Sequence, residues 1–277
     1  MRSKSTFSKL IEGAPVEDPT ACFEHIKPSL TIKPLLPTDS DRPRPTNSLR
    51  FVCISDTFGA HTSLTGKMPH GDVLVHTGNF TESSLPQEIS SFNAWLSTMP
   101  HKHKIVVAGS RDAIFDAEAY PYTWRRAGHP TCYHISETKS LLTACTYLEH
   151  TSTTVEGMKI FGSPYNCNAF SFAFHALRGA PMKKLWEKIP SDTDVLLTHT
   201  APLGHGDLCV DGRREGCANL LDWVESYRPL LHIFGGVREG AGLTSNDRTM
   251  FINACSLGLT YAPSAVRKPL VIDLMLR

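Results

Sequence analysis

The chain is 277 residues long, with 41% hydrophobic and 20% charged residues, and this composition excludes wholesale disorder, collagen-like repeats and coiled coil. The 28 Lys and Arg residues nearly balance the 27 Asp and Glu residues, which argues against a nucleic acid or an anionic membrane as a partner held by charge. The sequence contains no apolar run of the ~18 residues that a membrane span needs and no secretory signal, so we expect a cytoplasmic protein.

Residues 1–49 contain seven of the 19 prolines. Prolines this dense lack the amide donors that a helix or a central strand needs, so the segment is predicted to be an extended arm. The arm is either a disordered tail or a strap across its own domain or onto a partner. We expect a protein partner, or a large assembly such as a cytoskeletal one, to contact this arm and the domain surface.

Residues 50–277 have the pattern of one α/β domain. A helix is predicted after Ser84, which would cap it with Gln87 three residues later, and a second helix is predicted from the apolar stripe at Cys217, Leu220, Leu221 and Val224. Short β-branched runs predict strands at 50–54, 73–76, 104–108, 159–162, 195–198, 231–234, 249–253 and 270–276.

Five of these strands are followed at once by a turn rich in Gly, Asp, Asn, His or Arg. The turns begin after residues 54, 76, 108, 198 and 234. Ligands of open sheets bind beyond the carboxyl ends of the strands, so the five turns are predicted to converge on one site.

Residues around these turns resemble the calcineurin-like metallophosphoesterase superfamily, and more closely its metallophosphoesterase-domain-containing branch. The resemblance implies an α/β fold of four layers, in which two mixed β-sheets are flanked by helices. It rests on residues 50–58, 68–82, 104–116, 196–202 and 232–242, and on the runs M-P-H-G-D-V-L-V-H (68–76), F-N-A-W-L (92–96), F-G-S-P (161–164) and F-I-N-A (251–254).

The resemblance also implies a chemistry, since family members use two divalent transition metals. Carboxylate, amide and imidazole ligands from the five turns hold the two ions, which activate a bridging hydroxide for attack on phosphorus. A histidine in the third turn protonates the leaving oxygen. In this sequence Arg111 occupies the place of that histidine, and a guanidinium keeps its proton, so it cannot act as the acid.

Most of the implied ligand positions are substituted. Asp56 and His199 keep the family's residue. Asn79 replaces the bridging aspartate, and its amide brings no charge to separate two dications. The remaining positions hold Phe58, Ser110, Gly236 and Arg238.

These substitutions predict a degenerate site of vestigial residues with no metal and no catalytic group. Two ligands fall short of the three that a catalytic metal ordinarily needs. Arg238 is expected to pair with Asp56 in place of a metal bridge. His61, His76, His205 and Asp112 lie near the turns, but we interpret them as structural or locally paired groups.

Three functions follow from this sequence. The first is a catalytically inactive pseudoenzyme with a binding or structural role. The second is a sensor that binds phosphate or a nucleotide without turnover, through the forked donors of Arg111 and Arg238. The third is a weak single-metal phosphodiesterase that uses Asp56, Asn79 and His199.

Overall fold

A computed structural model describes residues 6–167, 171–258 and 266–276. None of the helices in these ranges is both long and apolar enough to cross a membrane. The helices are α1 (Thr6–Glu12), α2 (Pro19–Ile26), α3 (Pro86–Thr98), α4 (Tyr120–Thr123), α5 (Ile135–Lys139), α6 (Ala180–Trp186) and α7 (Ala218–Tyr227). The strands are β1 (Lys33–Leu35), β2 (Ser48–Ile54), β3 (Val73–Thr77), β4 (His103–Val107), β5 (Thr146–Leu148), β6 (Thr151–Val155), β7 (Met158–Ser163), β8 (Val195–Thr198), β9 (Leu231–Phe234), β10 (Gly242–Ser245), β11 (Met250–Asn253) and β12 (Leu270–Met275).

The strands form two mixed sheets. One sheet has seven strands in the order β1-β10-β11-β9-β8-β7-β6, and the other has five in the order β12-β2-β3-β4-β5. The strands before the five candidate turns are parallel within each sheet, β2-β3-β4 in the smaller and β8-β9 in the larger. The turns of each sheet therefore all lie at the same end of its parallel strands.

The two sheets face each other across the main core, and helices cover their outer faces. Phe51 and Cys53 of β2 belong to the apolar cluster between the sheets, whereas Val52 and Ile54 belong to the cluster that contains Phe92 of α3. Because successive side chains of a strand point to opposite faces, β2 is buried along its whole length. Helices α6 and α7 cover the larger sheet in the same way. The predicted four-layer α/β fold is confirmed.

All eight predicted strands are present, and the strands at 195–198 and 231–234 have the predicted bounds. The pattern did not reveal β1, β5, β6 or β10. These four strands have three to five residues each, and β6 is the threonine-rich, mostly exposed run T-S-T-T-V. Short polar strands lack the apolar run by which buried strands are predicted.

The cap predicted for α3 is wrong, although the predicted helix is present. The helix begins at Pro86, and the Glu88 carboxylate accepts a hydrogen bond from the backbone N–H of Leu85 at 2.8 Å. Ser84 instead accepts the N–H of Ile114 at 2.9 Å. A proline at the first helical position, followed by a glutamate two residues later, was the signal for this start.

The N-terminal segment is helical in part, which corrects the predicted extended arm. The Oδ1 atom of Asp18 accepts the N–H groups of Thr20 and Ala21 at 3.0 Å each, so it caps α2. Pro19 stands at the first helical position, where a missing N–H has no cost. The density of prolines therefore did not prevent a helix here, and the division of the chain at residue 49 stays a prediction.

Helix α2 packs on the domain of its own chain. Its side chains Cys22, Phe23 and Ile26 form one buried cluster with Leu203 and with Leu221 of α7. Strand β1 continues this contact, because it adds an antiparallel edge strand beside β10. Of the two readings of the segment, the strap across its own domain matches this packing.

Candidate functional site

The five turns converge as predicted. A polar cavity of about 220 Å³ is lined by turns from both sheets, and a smaller cavity beside it is lined by His199 and Thr200 from the turn after β8. The lining residues of the larger of these cavities are Asp56, Phe58, Asn79, Ser110, Arg111, Cys209, Glu215, Gly236, Val237, Arg238 and Glu239.

The two adjoining cavities are called the cleft below. Asp56 lies at the floor of the cleft, two residues after the end of β2, and only 1% of its surface is exposed. Its Oδ1 atom accepts the side-chain N–H of Asn79 at 2.8 Å. Its Oδ2 atom accepts the backbone N–H of Gly236 at 2.9 Å, the hydroxyl of Ser55 at 2.7 Å and the thiol of Cys255 at 3.0 Å. Neutral donors therefore surround the carboxylate.

The predicted ion pair between Arg238 and Asp56 is wrong. The donors of Asp56 come from other residues, and Nη1 of Arg238 lies 3.5 Å from the carbonyl oxygen of Gly258. The physical reason is the turn at Gly236, whose φ of 81° turns the backbone N–H toward the carboxylate. Arg238 begins a 3₁₀ turn two residues later, after the Gly236 N–H has already taken the place beside the carboxylate.

Asn79 joins three of the turns. Its Nδ2 donates to Asp56, and its Oδ1 accepts the backbone N–H of Arg111 at 2.8 Å and faces the hydroxyl of Ser110 at 3.4 Å. The backbone N–H of Asn79 donates to Asp112 at 2.8 Å. The partners of the Asn79 side chain therefore show which end of its amide is nitrogen and which is oxygen, and the nitrogen donates to the Asp56 carboxylate.

Asp56, Phe58 and Asn79 all have a left-handed backbone, with φ of 53°, 44° and 54°. This conformation is uncommon for residues other than glycine and is an outlier for a bulky ring such as that of Phe58. Such backbone strain clusters at ligand sites. The turns therefore have the strained left-handed backbone even at Phe58, whose side chain cannot coordinate a metal.

Asp112 is fully buried and organises the turn after β4. Its carboxylate accepts the N–H groups of Asn79 and Gly109 at 2.8 Å each, and both the N–H and the hydroxyl of Thr81 at 3.0 and 2.6 Å. Burial raises the pKa of Asp112 to about 6, and the hydrogen bonds from Thr81 and Gly109 act in the opposite direction. The expected local pairing of Asp112 is confirmed at Gly109, but most of its partners lie about 30 residues away.

His199 lines the smaller cavity. Its Nδ1 lies 3.0 Å from the carbonyl oxygen of Thr77, and because a carbonyl can only accept, Nδ1 donates this hydrogen bond. Its Nε2 takes no part in this bond. The ring fits closely against backbone, since a Cβ added at Gly78 would lie 2.6 Å from Nδ1 and one at Gly109 would lie 2.8 Å from Cε1.

A pair of dications does not fit these residues. Such ions need a shared anionic ligand, but Asn79 turns an N–H group toward Asp56, and the Asp56 oxygens already accept four donors. The Nε2 atom of His199 is one ligand where a catalytic metal ordinarily has three. Within the described ranges no three His, Cys, Asp or Glu side chains are grouped to hold a metal. No metal-dependent step follows from this set of donors.

The other histidines near the turns have structural partners. The Nδ1 atom of His76 accepts the N–H of Gly78 at 3.2 Å, and its Nε2 lies 2.9 Å from the hydroxyl of Thr57. Burial lowers the pKa of His76 to about 3. Similarly, His205 pairs with the hydroxyl of Thr244 at 2.8 Å, and burial lowers its pKa to about 3.

Arg111 lies at the mouth of the cleft. Its side chain is exposed, and its guanidinium carbon lies 5.0 Å from the centre of the Phe172 ring. Over the part of the chain that the structure describes, no carboxylate lies within 4.0 Å of this guanidinium. Arg111 also borders a second cavity of about 910 Å³, which Phe58, His61 and Leu257 line as well.

Sequence reasoning missed several residues of the site. Cys255 donates to Asp56, and its position two residues after β11 was a signal of the same kind as that of the predicted turns. Cys209 and Glu215 reach the cavity from the long segment after β8, where no strand end marked them. Phe172 also had no local signal, because it meets Arg111 only in the folded chain.

Comparison with known proteins gives a family. Metallophosphoesterase domain-containing protein 1 of Homo sapiens is 37% identical over 247 residues, which cover 86% of this chain and 74% of that protein. A UPF0046 protein of Caenorhabditis elegans is 38% identical over 242 residues, covering 85% of each chain. The solved structure of TT1561 of Thermus thermophilus covers 74% of this chain and 88% of its own, at 17% identity and a TM-score of 0.47. No protein-family profile matches. The two relatives show that this chain belongs to the metallophosphoesterase domain-containing protein family.

Proposed function

We propose that this protein is a catalytically inactive member of its family and that its cleft and surface serve binding. The observation that supports this is the hydrogen bond from Asn79 to Asp56. Where relatives are expected to place a metal between two carboxylates, this chain joins a carboxylate to an amide directly. Folds commonly persist when their sites change, since packing specifies the core and a few loop residues specify the chemistry.

The test is a joint measurement of metal content and turnover. Purified protein is analysed for bound metals and assayed on an aryl phosphodiester with added Mn²⁺, beside a His199→Ala variant. We expect substoichiometric metal and equal background rates for the two proteins. Stoichiometric metal, together with turnover that is lost in His199→Ala, would show that the third function, a single-metal phosphodiesterase, is the right one.

A second candidate function is phosphate or nucleotide binding without turnover. It is favoured by the exposed guanidinium of Arg111, which has forked donors suited to phosphate oxygens and stacks on Phe172 rather than on an acid. Arg238, the other predicted phosphate-binding residue, lies at the same cavity with its Nη1 near the Gly258 carbonyl oxygen. Arg111 is therefore the stronger of the two.

Thermal unfolding with orthophosphate and a panel of mononucleotides tests this candidate. A ligand that binds only the folded state raises the melting temperature. We expect a rise with millimolar ligand that disappears in Arg111→Gln. The matched control is Arg125→Gln, which removes the same charge from another exposed arginine. An unchanged melting temperature with every ligand would exclude this function.

The partner and the location remain part of the proposal. We propose that a protein partner or a large assembly contacts the outer side of the N-terminal segment, where Leu36 is 90% exposed just after the edge strand β1. The cytoplasm, with a cytoskeletal assembly as one setting, is the location that we propose. Cross-linking of the intact protein in cells, with and without Leu36→Asp, would test the contact.

A further inference from the structure

A second arginine shares the aromatic ring on which Arg111 stacks. The guanidinium carbon of Arg126 lies 5.3 Å from the centre of the Phe172 ring, and that of Arg111 lies 5.0 Å from it. The backbone N–H of Phe172 donates to the carbonyl oxygen of Ser110 at 3.1 Å. This bond holds the backbone of Phe172 beside the turn that follows β4, within reach of both guanidinium groups.

Among the described residues, the two guanidinium groups have no acidic partner. No carboxylate oxygen of those residues lies within 4.0 Å of either group. Two less exposed arginines of the same protein behave differently, since Arg50 pairs with Asp273 and Arg214 pairs with Asp207. Two like charges on one ring repel each other, and a bound anion would remove that repulsion.

Two carboxylates close to Arg111, one in sequence and one in the lining of the same cavity, are engaged elsewhere. Asp112, the neighbour of Arg111 in sequence, accepts four donors from the floor of the cleft. Glu88, which lines the 910 Å³ cavity together with Arg111, accepts the backbone N–H groups of Glu82, Ser83 and Leu85. Neither carboxylate neutralises the arginine pair.

Charge also indicates where an anion would lie. Glu215 and Glu239 line the polar cavity, and Glu82 lines the larger one. These carboxylates disfavour an anion deep in either cavity. The most favourable position is therefore the mouth, where Arg111 and Arg126 both contact the Phe172 ring.

We propose that Arg111, Arg126 and Phe172 form a binding site for a diphosphate group at the mouth of the cleft. Each guanidinium is a planar fork that takes two phosphate oxygens, so two separate guanidinium groups match two linked phosphoryl groups better than one. The proposal rests on phosphate binding as the second candidate function, and it is independent of whether the protein hydrolyses anything.

Calorimetric titration of the full chain with inorganic pyrophosphate tests the site, with orthophosphate and adenosine diphosphate as comparisons. The variants are Arg126→Gln and Arg111→Gln. The control is Arg125→Gln, because Arg125 is adjacent in sequence, exposed, and stacked on a different ring, that of Trp124, at 4.3 Å. Because all three side chains are exposed, the variants are expected to fold, and circular dichroism checks that they do.

We expect pyrophosphate to bind at least tenfold more tightly than orthophosphate. Arg126→Gln should weaken pyrophosphate binding at least tenfold and orthophosphate binding less than twofold, whereas Arg125→Gln should change both less than twofold. Tighter binding of adenosine diphosphate than of pyrophosphate would support the site and identify a nucleotide as the source. Equal binding would support it with the free diphosphate as the source.

Three results would overturn the diphosphate site. These are no pyrophosphate binding at millimolar concentration, equal losses in Arg125→Gln and Arg126→Gln, and orthophosphate binding as tight as pyrophosphate binding. In the last case, orthophosphate binding that is lost in Arg111→Gln would leave the phosphate-binding function in place. Absence of binding for every anion would reject both proposals.

Discussion

The floor and the mouth of the cleft satisfy their polar groups in different ways. At the floor, Asp56 and Asp112 each accept four hydrogen bonds from donors of the same chain. At the mouth, Arg111 and Arg126 are exposed and rest on an aromatic ring. The floor is thus complete without a ligand, while the mouth presents charge that a ligand could use.

In the proposed inactive protein, the floor is the structural half of the site. Its turns hold one another through the Asn79 amide and the Gly236 N–H. Buried polar groups stabilise a fold only when all of them are satisfied. Residues of the floor should therefore affect stability, and residues of the mouth should affect binding.

The largest effect is expected for Asp112→Ala. This change leaves three backbone N–H groups and one hydroxyl buried without their acceptor, and we expect the free energy of unfolding to fall by about 3 to 5 kcal/mol. Urea denaturation measures the change. The control is Asp247→Ala at an exposed ion pair with Lys33, for which we expect less than about 1 kcal/mol. Similar values for the two variants would contradict a structural floor.

Asn79→Asp should have the second largest effect. The new carboxylate would face Oδ1 of Asp56 at the present 2.8 Å separation, and two buried carboxylates at this distance repel each other. We expect a loss of about 2 to 4 kcal/mol at pH 7, measured by urea denaturation.

Added Mn²⁺ makes this variant informative about metals. We expect Mn²⁺ to raise the melting temperature of Asn79→Asp, since the change restores the anionic ligand that two dications need. The wild type and Asn79→Ala, which lacks the amide without gaining charge, should show no rise. An equal rise in all three proteins would mean that Asn79 is not what prevents metal binding.

Much of this architecture could be predicted from sequence, because it depends on local pattern. The apolar runs at 195–198 and 231–234 gave correct strands, and the carboxyl ends of parallel strands led to the convergent turns. The contacts of the site depend on residues far apart in the chain. The partners Thr81 and Asp112 are 31 residues apart, and Asp56 and Gly236 are 180 apart. No local pattern could rank Gly236 above Arg238 as the donor to Asp56.

His76, a buried histidine next to the floor of the cleft, is expected to make the free energy of unfolding depend on pH. Its folded pKa is lowered from 6.5 to about 3, because burial opposes the charged ring. Between these pH values the unfolded chain binds a proton that the folded protein does not. The stabilisation is therefore complete above pH 6.5 and is lost as the pH falls toward 3.

His76→Asn should reduce this acid sensitivity. Asparagine offers an oxygen to the Gly78 N–H and does not titrate, so the fall in unfolding free energy between pH 6.5 and 5.5 should shrink by about 1 kcal/mol. Urea denaturation of both proteins at pH 6.5 and 5.5 gives the difference in slope. An unchanged slope would mean that His76 is protonated in the folded state and that the network tolerates its charge.

The smallest effect on stability is expected for Arg111→Gln, which is the sharpest test of the contrast between floor and mouth. The guanidinium loses only an exposed contact with Phe172, and such a contact contributes about 0.5 to 1 kcal/mol. Its backbone N–H still donates to Asn79, so the floor keeps its network. We expect urea denaturation to show a loss below about 1 kcal/mol, even where phosphate binding disappears. A loss of unfolding free energy as large as that of Asp112→Ala would mean that the mouth, like the floor, stabilises the fold. The positive charge of Arg111 would then have a structural role, and ligand binding would not be needed to account for it.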